Sequence, residues 1–220
     1  MATSTVEDYL KQLYLEQQSA AADLVPMGRL ASAMGVVPGT ATSMVKALSD
    51  SGLVTYEPRS GARLTKAGEQ LALHVLRRHR LVELFLVKIL GLDWSEVHAE
   101  AEELEHAISE KVLDRIDALL EHPSVDPHGD PIPPAKGKMV GKTQASLLDC
   151  DLHTAVRLAR VSDQEPTFLQ FLNRRGLTPG TTLTVRSRDP HAAAVTVMTA
   201  HKHPVTLGTA AAAKIFVEPL

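Results

Sequence analysis

The sequence predicts a mainly α-helical protein with a small β part at its carboxy-terminal end. Three observations predict it. Apolar residues recur at helical spacing through most of the first 120 residues. Short β-branched runs separated by turns fill the region after residue 150. Between them HPSVDPHGDPIPPAKGK, residues 122–138, carries five prolines together with Gly129 and Gly137, so no helix or central strand can run through it. These cuts define an amino-terminal domain at 1–72, a helical domain at 73–134, a linker at 135–150 and a β domain at 151–220.

The first helix is expected over 6–18, with Val6, Leu10, Leu13 and Tyr14 on one stripe. A second runs from about Met27 to Met34 and stops at Gly35, a residue suited to a helix end. In VVPGTATSMVKALSDSG, Pro38 fits the first turn of a third helix, Met44, Val45 and Leu48 form its inner face, and Gly52 closes it. Two helices joined by a short glycine-containing turn make a helix-turn-helix. LVTYE (53–57), PRSG (58–61) and ARLT (62–65) then read as two strands around a turn, a wing. Pro38 at the start of the third helix, and Thr40, Thr42, Ser43 and Lys46 on its outer side, are suited to phosphate and base-edge contacts, with Arg59 and Arg63 beside them on the wing. Such a chain is expected to read double-stranded DNA. Short polar residues also occur on any solvated helix and hairpin, and the appended basic wing decides between the two readings.

Residues 66–90 form a long amphipathic helix, and 94–120 contains one or two more. His79 and Glu83 stand one turn apart on the first of these. His98, Glu102, Glu105 and His106 follow at offsets of 0, 4, 7 and 8, a single helical stripe. Stacked carboxylates repel, so the stripe calls for a cation or a partner helix. Solvated Glu-His pairs are common on acidic helices, but Glu96, Glu100, Glu103 and Glu110 can supply the wet face here. A di-iron carboxylate enzyme would need a second Glu-x-x-His pair beside Glu103 and His106, and the sequence has none. The β part contains VRLARV (156–161), TTLTVRS (181–187), AVTVMTA (194–200), VTLG (205–208) and KIFVEPL (214–220), the pattern of a small barrel.

Charge is consistent with this division. The formal net charge of −3 over 220 residues lacks the basic footprint of a nucleic-acid binder. Split by segment, 1–72 carries −1, 73–134 carries −7 with six of the ten histidines, and 135–220 carries +5. The deficit therefore coincides with the candidate ligand stripe. A single cysteine, Cys150, excludes an internal disulfide and a thiolate-only zinc site. Glu7 and Asp8 stand where a signal peptide would be basic, and no run of eighteen apolar residues exists. A cytoplasmic protein without membrane or small-molecule-substrate function is expected.

With these parts in place, the chain resembles the diphtheria toxin repressor and manganese transport regulator (DtxR/MntR) family. The resemblance runs over essentially the whole chain and rests on EDYL at 7–10, GLV at 52–54, LTKAGEQLA at 64–72, RRHRLVE at 77–83, VHAEAEELEH at 97–106 and DPIP at 130–133. It implies a winged helix-turn-helix, a helical metal-binding and dimerisation domain and a carboxy-terminal SH3-like, FeoA-type domain. It further implies a homodimer that grips operator DNA when loaded with Mn(II) or Fe(II), two sites per subunit, and no enzymatic activity. Carried over by position, the effector site is Asp8, Glu102, Glu105 and His106. The ancillary site is His79, Glu83 and His98, completed by Asp163 or its neighbours Gln164 and Glu165. Iron sensors of the family place Met and Cys where this chain has Asp8 and Glu102. Hard oxygen donors at both positions favour Mn(II) over Fe(II). Lys11 stands where two-domain manganese regulators carry a ligating Glu, which argues for two separated sites over a bridged pair.

Overall fold

In the computed structural model, which describes residues 3–19, 23–135, 139, 144–199 and 203–220, the chain divides into two compact units, Met1–His79 and Arg80–Leu220. Gly137 and much of the stretch read as linker lie outside the described residues.

In the first unit, α1 (Ser4–Ser19) buries Tyr9, Leu10, Leu13 and Tyr14, and with them the side chain of Lys11. α2 (Met27–Ala33) buries Leu30 and Ala31, and Gly35 follows it with φ 64°. α3 (Pro38–Asp50) starts on Pro38, as its fixed φ favours, and turns Ala41, Val45 and Leu48 inward. β1 (Val54–Glu57) and β2 (Gly61–Leu64) pair antiparallel from Val54↔Leu64 to Glu57↔Gly61, and Val25 adds a bridge to Ala62. The result is a winged helix-turn-helix in the expected order. α4 (Lys66–Lys88) begins here, capped by Thr65, whose Oγ1 accepts from the Gly68 amide at 3.2 Å.

In the second unit, Leu81 and Leu84 of α4 pack with Leu113, Ile116 and Ile132, while Val82 and Leu86 pack with Val97 and Ala101. The 94–120 stretch forms two helices, α5 (Val97–Glu105) and α6 (Glu110–Leu119), because Ser109 caps a new start by accepting from Val112 N. Then follow β3 (Ala145–Ser146), β4 (Ala155–Val161), α7 (Pro166–Asn173), β5 (Thr182–Asp189), β6 (Ala194–Thr199), β7 (Pro204–Gly208), α8 (Thr209–Ala212) and β8 (Ile215–Pro219). The strands form one antiparallel sheet in the order β3-β8-β4-β5-β6-β7. Register shifts at Leu158/Arg160 and Val185/Ser187 bend it, as bulges do. β3 and the fully buried Leu147 fall within 135–150, so this stretch already contributes to the sheet core, and Trp94 from the helical part joins the same core.

Candidate metal centre

Helical spacing does what the sequence required on α5. His98, Glu102 and Glu105 share a stripe, and His106 follows as the C-cap residue in right-handed helical geometry, extending it just beyond the helix. Glu105 is fully buried, Glu102 and His106 are half-buried, and His98 is exposed. On α4, Glu83 is fully buried, and His79, one turn earlier, is buried too. Within the second unit the donors meet in pairs: His98 Nδ1 to Glu83 Oε1 at 3.2 Å, His98 Nε2 to Glu102 Oε1 at 3.6 Å, and His106 Nε2 to Glu105 Oε1 at 3.4 Å. Asp8 lies half-buried on α1 of the first unit.

Sequence reasoning missed two residues. Asp126 and His128, from the proline-rich loop after α6, are both buried and form with Glu83 a group whose ligand atoms lie within 4.8 Å of one another. His128 Nε2 donates to the Trp94 carbonyl at 2.9 Å. Its Nδ1, which has no hydrogen-bond partner among the described residues, is 3.8 Å from Glu83 Oε2 and 4.0 Å from Asp126 Oδ1. Burial pushes the Asp126 carboxyl up to about 7, with the Asp130 and Glu83 charges adding to the effect. Burial alone would lower His128, but the Glu83 and Asp126 carboxylates outweigh it and raise its pKa. An imidazole nitrogen facing two buried carboxylate groups is a seat for positive charge, whether a proton or a cation. The signal was available as DPHGD, a run of ligand types that breaker residues disguised as a mere linker.

Asp163, an expected ancillary ligand, accepts from two donors. Its Oδ2 accepts from Lys214 Nζ at 2.5 Å and its Oδ1 from the Glu165 amide at 3.0 Å. Burial works against ionisation there, but these two donors hold the carboxyl below its usual range. Gln164 donates to Asp130 Oδ2 at 3.1 Å, and Glu165 caps α7 through the Phe168 amide.

On the DNA-facing candidates, Pro38, Thr40, Ser43 and Lys46 are exposed along α3, and Thr42 is half-buried. Thr42 and Ser43 donate to the carbonyls of Pro38 and Gly39 at 2.8 and 3.0 Å, leaving their hydroxyl lone pairs to accept. Arg59 sits exposed in the wing turn with φ 70°. Arg63 is ion-paired with Asp23, so its charge is already partly matched.

A winged DNA-binding domain, a helical domain rich in metal-ligating side chains and a small antiparallel sheet domain define the class of protein, and known proteins agree. Residues 1–62 match the iron dependent repressor N-terminal DNA binding domain, 65–134 the iron dependent repressor metal binding and dimerisation domain, and 145–219 the FeoA domain. The iron-dependent repressor IdeR of Mycobacterium bovis is 37% identical over 131 residues, 59% of this chain and 55% of that one, so the chain spans about half the length of the IdeR proteins it matches. The HTH-type transcriptional regulator MntR of Lysinibacillus sphaericus is 34% identical over 121 residues, 55% of this chain and 85% of that one. A solved manganese-dependent transcriptional repressor in complex with manganese is 39% identical with a TM-score of 0.88, covering 98% of this chain and 100% of that one. The chain belongs to the DtxR/MntR family of metal-dependent repressors, a family of transcriptional regulators and not of enzymes. Among the described residues no helix is long and apolar enough to cross a membrane.

Proposed function

We propose that this chain is a Mn(II)-dependent DNA-binding transcriptional repressor, acting as a homodimer on operator DNA in the cytoplasm. The donor set carries the reading. Asp8, Glu102, Glu105 and His106 would hold the effector cation. His79, Glu83 and His98 would hold a second, completed by Asp126 and His128 or by a side chain of the 163–165 loop. Oxygen donors at Asp8 and Glu102 suit Mn(II), which lies at the bottom of the divalent affinity order and has to be selected by ligand type. The His128 Nδ1, without a hydrogen-bond partner among the described residues and facing carboxylate oxygens of Glu83 and Asp126, fits a cation beside Glu83. The 39% identity to a repressor described with manganese supports the same choice.

Bound at these carboxylates, a divalent cation supplies the positive charge that turns their repulsion into cohesion. Asp8 stands on α1, which contacts α2 and β2 of the DNA-binding domain, whereas Glu102, Glu105 and His106 stand on or beside α5. The arrangement in which all four donors converge is the DNA-competent one, with two recognition helices α3 set roughly 34 Å apart in a dimer. Leu104 on α5 and Val112 and Leu119 on α6 are exposed and would supply apolar contacts to a second copy.

The test is operator binding by the full chain with MnCl2, ferrous salt or chelator. Mn(II) is expected to tighten operator binding, and operator DNA to tighten Mn(II) binding by the same factor, as linkage requires. Undiminished DNA binding in chelator would overturn the reading in favour of a metal-independent winged-helix regulator. The IdeR relatives favour a second reading, an Fe(II)-dependent repressor. The double substitution Asp8→Met with Glu102→Cys replaces hard donors by sulfur and is expected to move activation toward Fe(II) or Co(II), read by the same binding assay. An unchanged metal response in that variant means the effector ligands are elsewhere.

A further inference from the structure

The loop Asp126–Pro131 touches both the helical part and the sheet of the second unit. On the helical side, His128 Nε2 donates to the Trp94 carbonyl, Arg80 Nη1 donates to the Pro131 carbonyl at 2.5 Å, and Arg80 Nε lies 3.5 Å from Asp126 Oδ2. On the sheet side, the Val161 amide of β4 donates to the His128 carbonyl at 2.9 Å. Gly129, at φ 87°, lies so close to β4 that a Cβ there would be 1.9 Å from the Ala159 carbonyl oxygen. Asp130 stands at the centre. Its Oδ1 accepts from Arg160 Nη1 and its Oδ2 from Gln164 Nε2, both at 3.1 Å, with Arg80 Nη2 at 3.9 Å. Its amide donates to Asp126 Oδ1 at 3.0 Å, and its carbonyl accepts from the Asp126 amide at 2.9 Å. Asp126 Oδ1 also accepts from the His128 amide at 2.8 Å, so the orientation of both ligand-type side chains is set within one hydrogen-bonded ring.

We propose that Asp130 is a positioning residue that clamps the sheet domain to this loop and thereby holds Asp126 and His128 in place against Glu83. The Arg160 guanidinium is itself fixed over the Phe216 ring of β8, 4.3 Å from its centroid, so the clamp reaches across two strands of the sheet. Half-buried Gln164 comes from the loop between β4 and α7. Every charge of the clamp is buried or half-buried, where an ion pair with several hydrogen bonds is geometrically demanding and costly to break. The role as a support of a cation seat rests on the metal-sensing reading above, and makes that seat depend on sheet docking.

Hydrogen exchange and Mn(II) binding on the full chain test this together. Asp130→Ala is expected to speed exchange of the His128 and Val161 amides at least ~10-fold in metal-free protein, a loss of about 1.4 kcal/mol of local protection. Titration with MnCl2 should show the weaker class of site weakened about 10-fold and its Mn(II) paramagnetic resonance signal altered, with the tighter class unchanged. Asp130→Asn should recover part of both readouts relative to Asp130→Ala, because the Asn oxygen still accepts from Arg160 and the Gln164 amide can flip to accept from the Asn nitrogen, while the ion pair is lost. Should Asp130→Ala fail to fold, Gln164→Ala removes one bond of the clamp and is expected to shift both readouts about threefold in the same direction. Wild-type protein that takes up no Mn(II) overturns the metal reading and the positioning role with it. Unchanged amide exchange in an Asp130→Ala protein that binds Mn(II) overturns the clamp alone.

Discussion

With Mn(II) present, Glu105→Ala protein is expected to bind operator DNA on the order of 100-fold more weakly than wild type, close to the wild-type level in chelator. A hundredfold is about 2.8 kcal/mol, within the differential affinity that a coupled metal site supplies. The size follows from burial. Glu105 is fully enclosed, so no water stands ready to take the place of its carboxylate, whereas half-buried Glu102 can be replaced by solvent. Glu102→Ala is therefore expected to cost only about tenfold. Alanine is the best helix former and Glu105 ends α5, so the helix itself is retained. Residual DNA binding in chelator should match wild type, which separates loss of metal response from loss of fold. Mn(II)-dependent operator affinity within threefold of wild type would remove Glu105 from the effector site.

What the sequence disclosed was what short-range periodicity controls. α1, α3 and α4 are long amphipathic segments whose inward faces follow from apolar spacing, and Pro38 and Gly52 bound α3 as Gly35 ends α2. The stripe of His98, Glu102, Glu105 and His106 was legible because four donors lie within little more than two helical turns. Asp126 and His128 were not, because they approach Glu83 by a chain reversal after α6, and nothing local encodes that approach. α7 escaped notice although Glu165 and Pro166 are a cap and a first-turn proline, since its eight residues sit among β-branched runs. β3 was hidden by its length of two residues. Asp163, which the family resemblance implies as a ligand, is held by Lys214, a partner three strands further along the sequence and beyond the reach of any local pattern.

Gly68→Ala is the substitution for which local propensity and tertiary packing make opposite forecasts of large effect. Alanine in place of glycine inside a helix ordinarily stabilises by about 1 kcal/mol. Here an added Cβ would lie 2.0 Å from the Leu53 carbonyl oxygen, far inside contact distance, and neither side can give way freely. That carbonyl accepts from Thr65 N at 3.0 Å, and the first turn of α4 is tied to Thr65 Oγ1 through the Gly68 amide. Leu53 leads directly into β1, so the strain falls on the wing and on the end of α3 behind Gly52. Overpacking costs of about 1–3 kcal/mol, enlarged by a rigid backbone partner, exceed the propensity gain, and a net loss of about 2 kcal/mol is expected. Urea unfolding should show it as a lower midpoint, and operator affinity should fall because the wing and recognition helix no longer share their native spacing. A variant that unfolds at higher urea than wild type would mean that α4 and β1 are not in this contact, and that glycine at 68 serves no packing role.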